Sequence, residues 1–80
     1  MPMLDKSDIA LKAKIALRIK KLREATGKNQ ARFATDADKD RQTFSRWETG
    51  RGATIYTVNK ICKELNISLS DFFNDPIFKE

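Results

Sequence analysis

Residues 30–48 read QARFATDADKDRQTFSRWE, and the fold turns on how this stretch is parsed. Phe33, Ala34 and Ala37 stand at i, i+1 and i+4, so they share one face of a helix over 30–37. Asp40 is placed to cap a second helix over 41–49, its carboxylate accepting from the backbone N–H of Gln42 or Thr43. Phe44 and Trp47, three apart, then fall on the inner face of that second helix. Arg41, Gln42, Thr43, Ser45 and Arg46 are left outside. These are side chains suited to base edges and phosphates, since Arg forks onto guanine, Gln onto adenine, and Thr and Ser onto either base or backbone. The pattern predicts a pair of helices whose second member is aromatic on one side and Arg/Gln/Thr/Ser on the other. That is the requirement for a helix that reads a groove of DNA.

Outward from this stretch, the chain supplies helices and little else. Leu11, Ile15, Ile19 and Leu22 recur at helical spacing in a helix over 8–25, with Asp5 or Ser7 as its cap and Gly27 beyond its end. Asn29 is placed to cap the helix over 30–37. Asp38 occupies the turn, where a positive φ is easiest for glycine and better tolerated by Asp than by most residues. Gly50 ends the helix that begins at 41. Thr54 can cap a helix over 55–65 whose inner stripe is Ile55, Val58, Ile61, Cys62 and Leu65, with Tyr56 at its edge. Asn66 fits the next turn. Ser68 and Asp71 have capping-box spacing, and Ile67 and Phe72 hydrophobic-staple spacing, around a last helix that packs Leu69, Phe72 and Phe73 inward. Pro76 stops it. Five short helices with short connections predict one compact all-α domain over 8–75, a loose N-terminus at 1–7 and a tail at 76–80.

Charge points the same way. Of the formal net charge of +5, residues 12–51 carry 12 Lys/Arg against 5 Asp/Glu, while both flanks are slightly acidic. The positive charge thus sits with the proposed reading unit and the helix before it. That basic helix could be a solvated face or lie on a membrane surface, but the helices that follow give its apolar stripe a core to join. There is no histidine and one cysteine, Cys62. This excludes an internal disulfide, leaves no ligand set for a structural metal and leaves no acid/base constellation for an enzyme. No cofactor is expected. No run of about eighteen apolar residues is available to span a membrane, and no signal-peptide core is visible. The expected setting is the cytoplasm.

On these residues the chain resembles the lambda-repressor-like, Cro/CI-type (XRE) helix-turn-helix DNA-binding domains. The resemblance runs over 15–73. It is carried by IKKLREATG at 19–27, NQARFA at 29–34, RQTFSRWETGR at 41–51 and VNKICKELNISLSDFF at 58–73. Three departures stand out. Asp38 replaces the turn glycine, Ala37 replaces a larger core residue, and the loop after Gly50 is about one residue short and lacks the usual proline. The resemblance implies the lambda-repressor-like five-helix fold and a sequence-specific transcriptional regulator, a repressor, of prokaryotic, phage or plasmid origin. It implies base contacts from Arg41, Gln42 and Arg46, supported by Thr43 and Ser45. Phosphate contacts fall to Asn29 and Gln30, then Lys39 and Arg51, with Arg18 and Lys28 weaker. Arg23 and Glu48 match the family's structural ion pair.

Double-stranded DNA is the expected partner, bound by a homodimer on two half-sites about one helical turn apart. For the two-fold contact, Phe72, Phe73, Ile77 and Phe78 are open to two readings. They form the interface, or the first two are core and the last two a frayed tail. An antitoxin-like or controller protein of the same fold, acting mainly through a protein partner, is the alternative function. A module that keeps the fold without binding DNA is a third.

Overall fold

The structure is a computed structural model and describes residues 4–79. Every regular element among them is helical: α1 (Lys6–Ala25), α2 (Gln30–Asp36), α3 (Arg41–Glu48), α4 (Ile55–Leu65), α5 (Leu69–Phe73) and a single 3-10 turn at Pro76–Phe78. No helix among the described residues is long and apolar enough to cross a membrane.

Each helix starts where a short polar side chain satisfies one of its free N–H groups. Asp5, Asn29, Asp40, Thr54 and Ser68 accept from the backbone N–H three residues on, at Asp8, Arg32, Thr43, Thr57 and Asp71. At Ser68 the capping box is complete, because the Asp71 carboxylate also accepts from the Ser68 backbone N–H at 3.2 Å. With Asp5 as the cap, α1 begins at Lys6. Lys6 and Ser7 are therefore helical, not part of a loose N-terminus. Residues 1–3 of that expected segment, and residue 80 of the expected tail, lie outside the described residues.

Two turns use left-handed backbone without glycine. Asp38 has φ 60° between α2 and α3, and Asn66 has φ 57° at the end of α4. Asp and Asn are the side chains that tolerate this conformation most readily, so the Asp38 departure costs little. Ala37, the smaller residue beside it, is buried at the C-terminal end of α2.

The core gathers Ile19 from α1, Phe33 and Ala34 from α2, Phe44 and Trp47 from α3, Val58, Ile61 and Cys62 from α4 and Phe72 from α5. Phe33 and Phe44 rings lie 5.1 Å apart, and Phe44 meets Trp47 edge-on at 5.9 Å. These tilted arrangements suit the ring quadrupoles. Burial pushes the Cys62 thiol pKa up, as expected of a packing residue rather than a reactive one.

The apolar stripes are only partly covered. Leu11, Ile55 and Leu69, all expected to face inward, are 45%, 52% and 39% exposed. Each lies towards the N-terminal end of its helix, beyond the reach of the elements that cover the rest of the stripe. Leu11 lies in a stretch of α1, from Lys6 to Ala13, that is exposed throughout, and burial on α1 starts at Lys14.

The tail corrects a second expectation. Ile77 and Phe78 do not fray. Asp75 caps the 3-10 turn by accepting from the Ile77 N–H at 2.9 Å, and Phe78 stacks on Phe73 at 5.0 Å and Phe72 at 6.3 Å. Arg18 anchors this end, donating from Nε to the Phe72 carbonyl at 2.7 Å and from a terminal nitrogen to the Asp71 carbonyl at 3.0 Å. Its other terminal nitrogen pairs with Asp75 at 3.2 Å.

Candidate nucleic-acid interface

On α3, a period of 3.6 residues sets Phe44 and Trp47 against the core and puts Gln42 and Arg46, four apart, on the opposite face. Arg41, Gln42 and Arg46 are exposed, while Thr43 and Ser45 are half-buried at the flanks. Among the described residues, the side chains of Arg41, Gln42, Arg46 and Ser45 make no intramolecular hydrogen bond or ion pair. In a chain whose other arginines on α1 and α2 are all paired, this leaves two guanidinium groups and one amide on a single helix with their donors unspent. Such groups are free to meet a base edge or a phosphate without first breaking an internal bond.

Thr43 differs from its neighbours. Asp40 accepts from the Thr43 backbone N–H at 2.7 Å and from the Thr43 hydroxyl at 3.1 Å. The backbone bond first, then the hydroxyl bond, pull the Asp40 carboxyl below the usual range.

Behind α3 lies a polar relay. Arg23 Nε donates to Glu48 Oε2 at 2.6 Å, a terminal nitrogen reaches Glu48 Oε1 at 3.3 Å, and the other terminal nitrogen donates to the Lys28 carbonyl at 2.9 Å. Gln30 Nε2 donates to Glu48 Oε1 at 2.9 Å. The carboxylate at the end of α3 is therefore held from α1 and from the first residue of α2 at once. This sets both the axial rotation and the depth of α3 against the other two helices. Arg23 and Glu48 form the ion pair that the resemblance implied.

The residues expected at phosphates stand in different states. Asn29 spends its side-chain oxygen as the α2 cap, at 2.8 Å from the Arg32 N–H. Gln30 keeps one amide N–H beyond the bond to Glu48. Arg51 is exposed and Lys39 half-buried, each with its backbone N–H bonded within the helix-turn-helix and its side chain unpaired among the described residues. Lys28 is bonded to Asp36 at 2.7 Å, and Arg32 reaches the same carboxylate at 3.3 Å. Arg18 is turned wholly to the α5 end of the molecule and is not available to the α2–α3 face. The bond from Gln30 to Glu48, the hydroxyl bond of Thr43 and the anchoring role of Arg18 were not read from the sequence. Only the second has a local signal, an Asp followed three residues later by a Thr.

A helix-turn-helix family model matches residues 19–72. The chain is 37% identical over 67 residues to the control protein C.MunI of Mycoplasma sp, covering 81% of this chain and 90% of that protein. It is also similar to the crystal structure of a single-substitution mutant of the restriction-modification controller protein C.Esp1396I. That match has a TM-score of 0.74 and 33% identity, and covers 86% of this chain and 92% of the other. With a family model spanning more than half of the sequence and a relative this similar over most of both chains, the protein belongs to the XRE-type helix-turn-helix family of DNA-binding transcription regulators.

Proposed function

We propose that this protein is a controller-type regulator of restriction-modification genes, binding a two-fold operator as a homodimer with α3 of each copy in the major groove. The observation that carries the DNA-reading part is the division of α3. Phe44 and Trp47 are sealed in the core, and Arg41, Gln42 and Arg46 are exposed with every side-chain donor unspent among the described residues. Arg41 and Gln42 lie in the first turn, the end that enters the groove in such motifs, and Arg46 follows one turn on along the outer face. Arg51, Lys39 and the free N–H of Gln30 hold the backbone and set the register. The controller role rests on the names of the two similar proteins, each matched over most of its length.

A dimer is the simplest way for so small a module to gain useful specificity, because one copy reads only a few base pairs. Phe72, Phe73 and Phe78 stack on one another within the chain, so their rings are largely committed to holding the tail. The cytoplasm is the setting this function requires.

Selection of bound sites from a random duplex library tests the proposal. The expected result is a site with two-fold symmetry whose half-sites lie about one helical turn apart, bound with affinity that falls linearly in log salt. Unselective binding, or none, would refute it. An asymmetric single site would refute the dimer. Recovery of a sequence found upstream of restriction-modification genes would support the controller role, and its absence there would remove it.

A further inference from the structure

We propose that Thr43, held by Asp40, is a specificity-determining residue that admits a base with an exocyclic amine, adenine or cytosine, and rejects guanine. The inference rests on the reading that α3 enters the major groove, and it adds the class of base edge that one position accepts.

One proton decides what Thr43 can meet. A threonine hydroxyl has a single hydrogen to donate and two lone pairs to accept with. An ionised carboxylate only accepts. In the 3.1 Å contact between Thr43 Oγ1 and Asp40 Oδ2, the hydrogen therefore belongs to Thr43 and points at Asp40. The second bond, from the Thr43 N–H to Asp40 Oδ1 at 2.7 Å, fixes the carboxylate so that it cannot swing away without uncapping α3. Both bonds also favour the ionised form of Asp40. What Thr43 offers outward is lone-pair density and a methyl group, beside a negative charge. Ser45 carries the same hydroxyl with no intramolecular partner among the described residues, so its rotor is free to donate or accept. Of the two α3 hydroxyls, Thr43 is the one whose donor is spent among the described residues.

In the major groove guanine presents two acceptors, N7 and O6. Adenine presents its N6 amine, cytosine its N4 amine, and thymine a methyl group next to O4. An acceptor-only side chain flanked by a carboxylate meets an amine with an N–H···O bond. Against guanine it sets lone pair on lone pair, and the adjoining charge adds to the repulsion. A hydroxyl with a free proton would make no such distinction. The Asp40–Thr43 pair thus acts partly by excluding a wrong partner, a common source of specificity in recognition.

The test is site selection from a random duplex library with the wild-type protein, Asp40→Asn and Thr43→Val, each first shown by circular dichroism to be folded. Asn keeps an oxygen for the Thr43 N–H and so keeps the cap, but its amide can donate to Oγ1 and release the hydroxyl proton. Val keeps the branched shape and the methyl group and removes the lone pairs. The wild type is expected to disfavour guanine by about ten-fold or more at one base pair of each half-site. Asp40→Asn should bring that penalty down to a few-fold, and Thr43→Val should shift the same base pair towards thymine. Identical selected sites for all three proteins overturn the assignment. So does wild-type preference for guanine at the base pair that the variants change. Either result leaves the major-groove reading standing. A wild-type protein that selects no site overturns both.

Discussion

Arg23 Nε lies 2.6 Å from Glu48 Oε2, joining the last turn of α1 to the last residue of α3, with 12% of one side chain and 3% of the other exposed. The Gln30 amide donates to the other oxygen of the same carboxylate. A charge so nearly excluded from water is tolerated only while its partners are in place. Removing one partner of a buried pair costs about 3–5 kcal/mol, because it strands the other. Arg23→Ala or Glu48→Ala should therefore lower Tm by more than about 12 °C, taking about 4 °C or more per kcal/mol for a domain of this size. Replacing both by apolar residues, as Arg23→Met with Glu48→Leu, should recover most of the loss. Thermal melts of the three variants check this, and an unchanged Tm for the single variants would remove the pair from its structural role.

Arg41 and Gln42 should behave differently from Arg51. Arg41→Ala and Gln42→Ala are each expected to cost about 1–3 kcal/mol on the selected operator and to relax preference at one base pair. Arg51→Ala should weaken binding to every duplex alike and reduce the slope of log K against log salt by about one. Titrations on the operator and on a scrambled duplex at several salt concentrations separate the two behaviours. Equal losses on both duplexes for Arg41→Ala would move it to the phosphate class.

Arg18 tests the other end of the molecule. Its guanidinium holds two carbonyls at the end of α5 and the Asp75 carboxylate. Arg18→Ala should destabilise the fold by about 3 kcal/mol, since hydrogen bonds to a charged group contribute about 1.5–3 kcal/mol each and are rarely additive. Hydrogen exchange at residues 72–78 should accelerate. The base preference of the protein that remains folded should not change, because this side chain does not reach the α2–α3 face.

Acid should loosen the α2–α3 unit and the tail. The carboxyls of Asp36, Asp40 and Asp75 lie below the ordinary range. For Asp36 the main cause is the hydrogen bond from Lys28, for Asp40 the backbone N–H of Thr43, and for Asp75 the backbone N–H of Ile77. A folded-state pKa below the unfolded one contributes stability that is complete above the unfolded value, about 3.9 for Asp. That contribution disappears as pH falls through the folded value. Urea midpoints should thus be flat from pH 7 to about pH 5 and fall below about pH 4. Asp40→Asn should flatten part of that fall, and a midpoint that rises on acidification would contradict the sign.

Much of this molecule is written in short-range chemistry. The helices begin at Asp5, Asn29, Asp40, Thr54 and Ser68 because each side chain reaches an N–H only three residues away. The division of α3 into an apolar and a donor-rich face follows from helical period alone. The left-handed turn at Asp38 is equally local, since it needs only a residue that tolerates positive φ. None of these depends on what the rest of the chain does, so they are legible in residues read in order.

Tertiary structure decided which parts of each stripe are covered and where the long side chains go. Leu11, Ile55 and Leu69 have core-like spacing yet are exposed, because burial requires another element to lie over them and none of the described elements does. Arg18, in sequence a basic residue of α1 and a weak phosphate candidate, closes on carbonyls 53 and 54 residues away. Phe78 looked unpartnered until the 3-10 turn laid it on Phe72 and Phe73. Caps and helical period act over one turn of chain and survive in the sequence, whereas contacts across the fold depend on distances that only the assembled helices set.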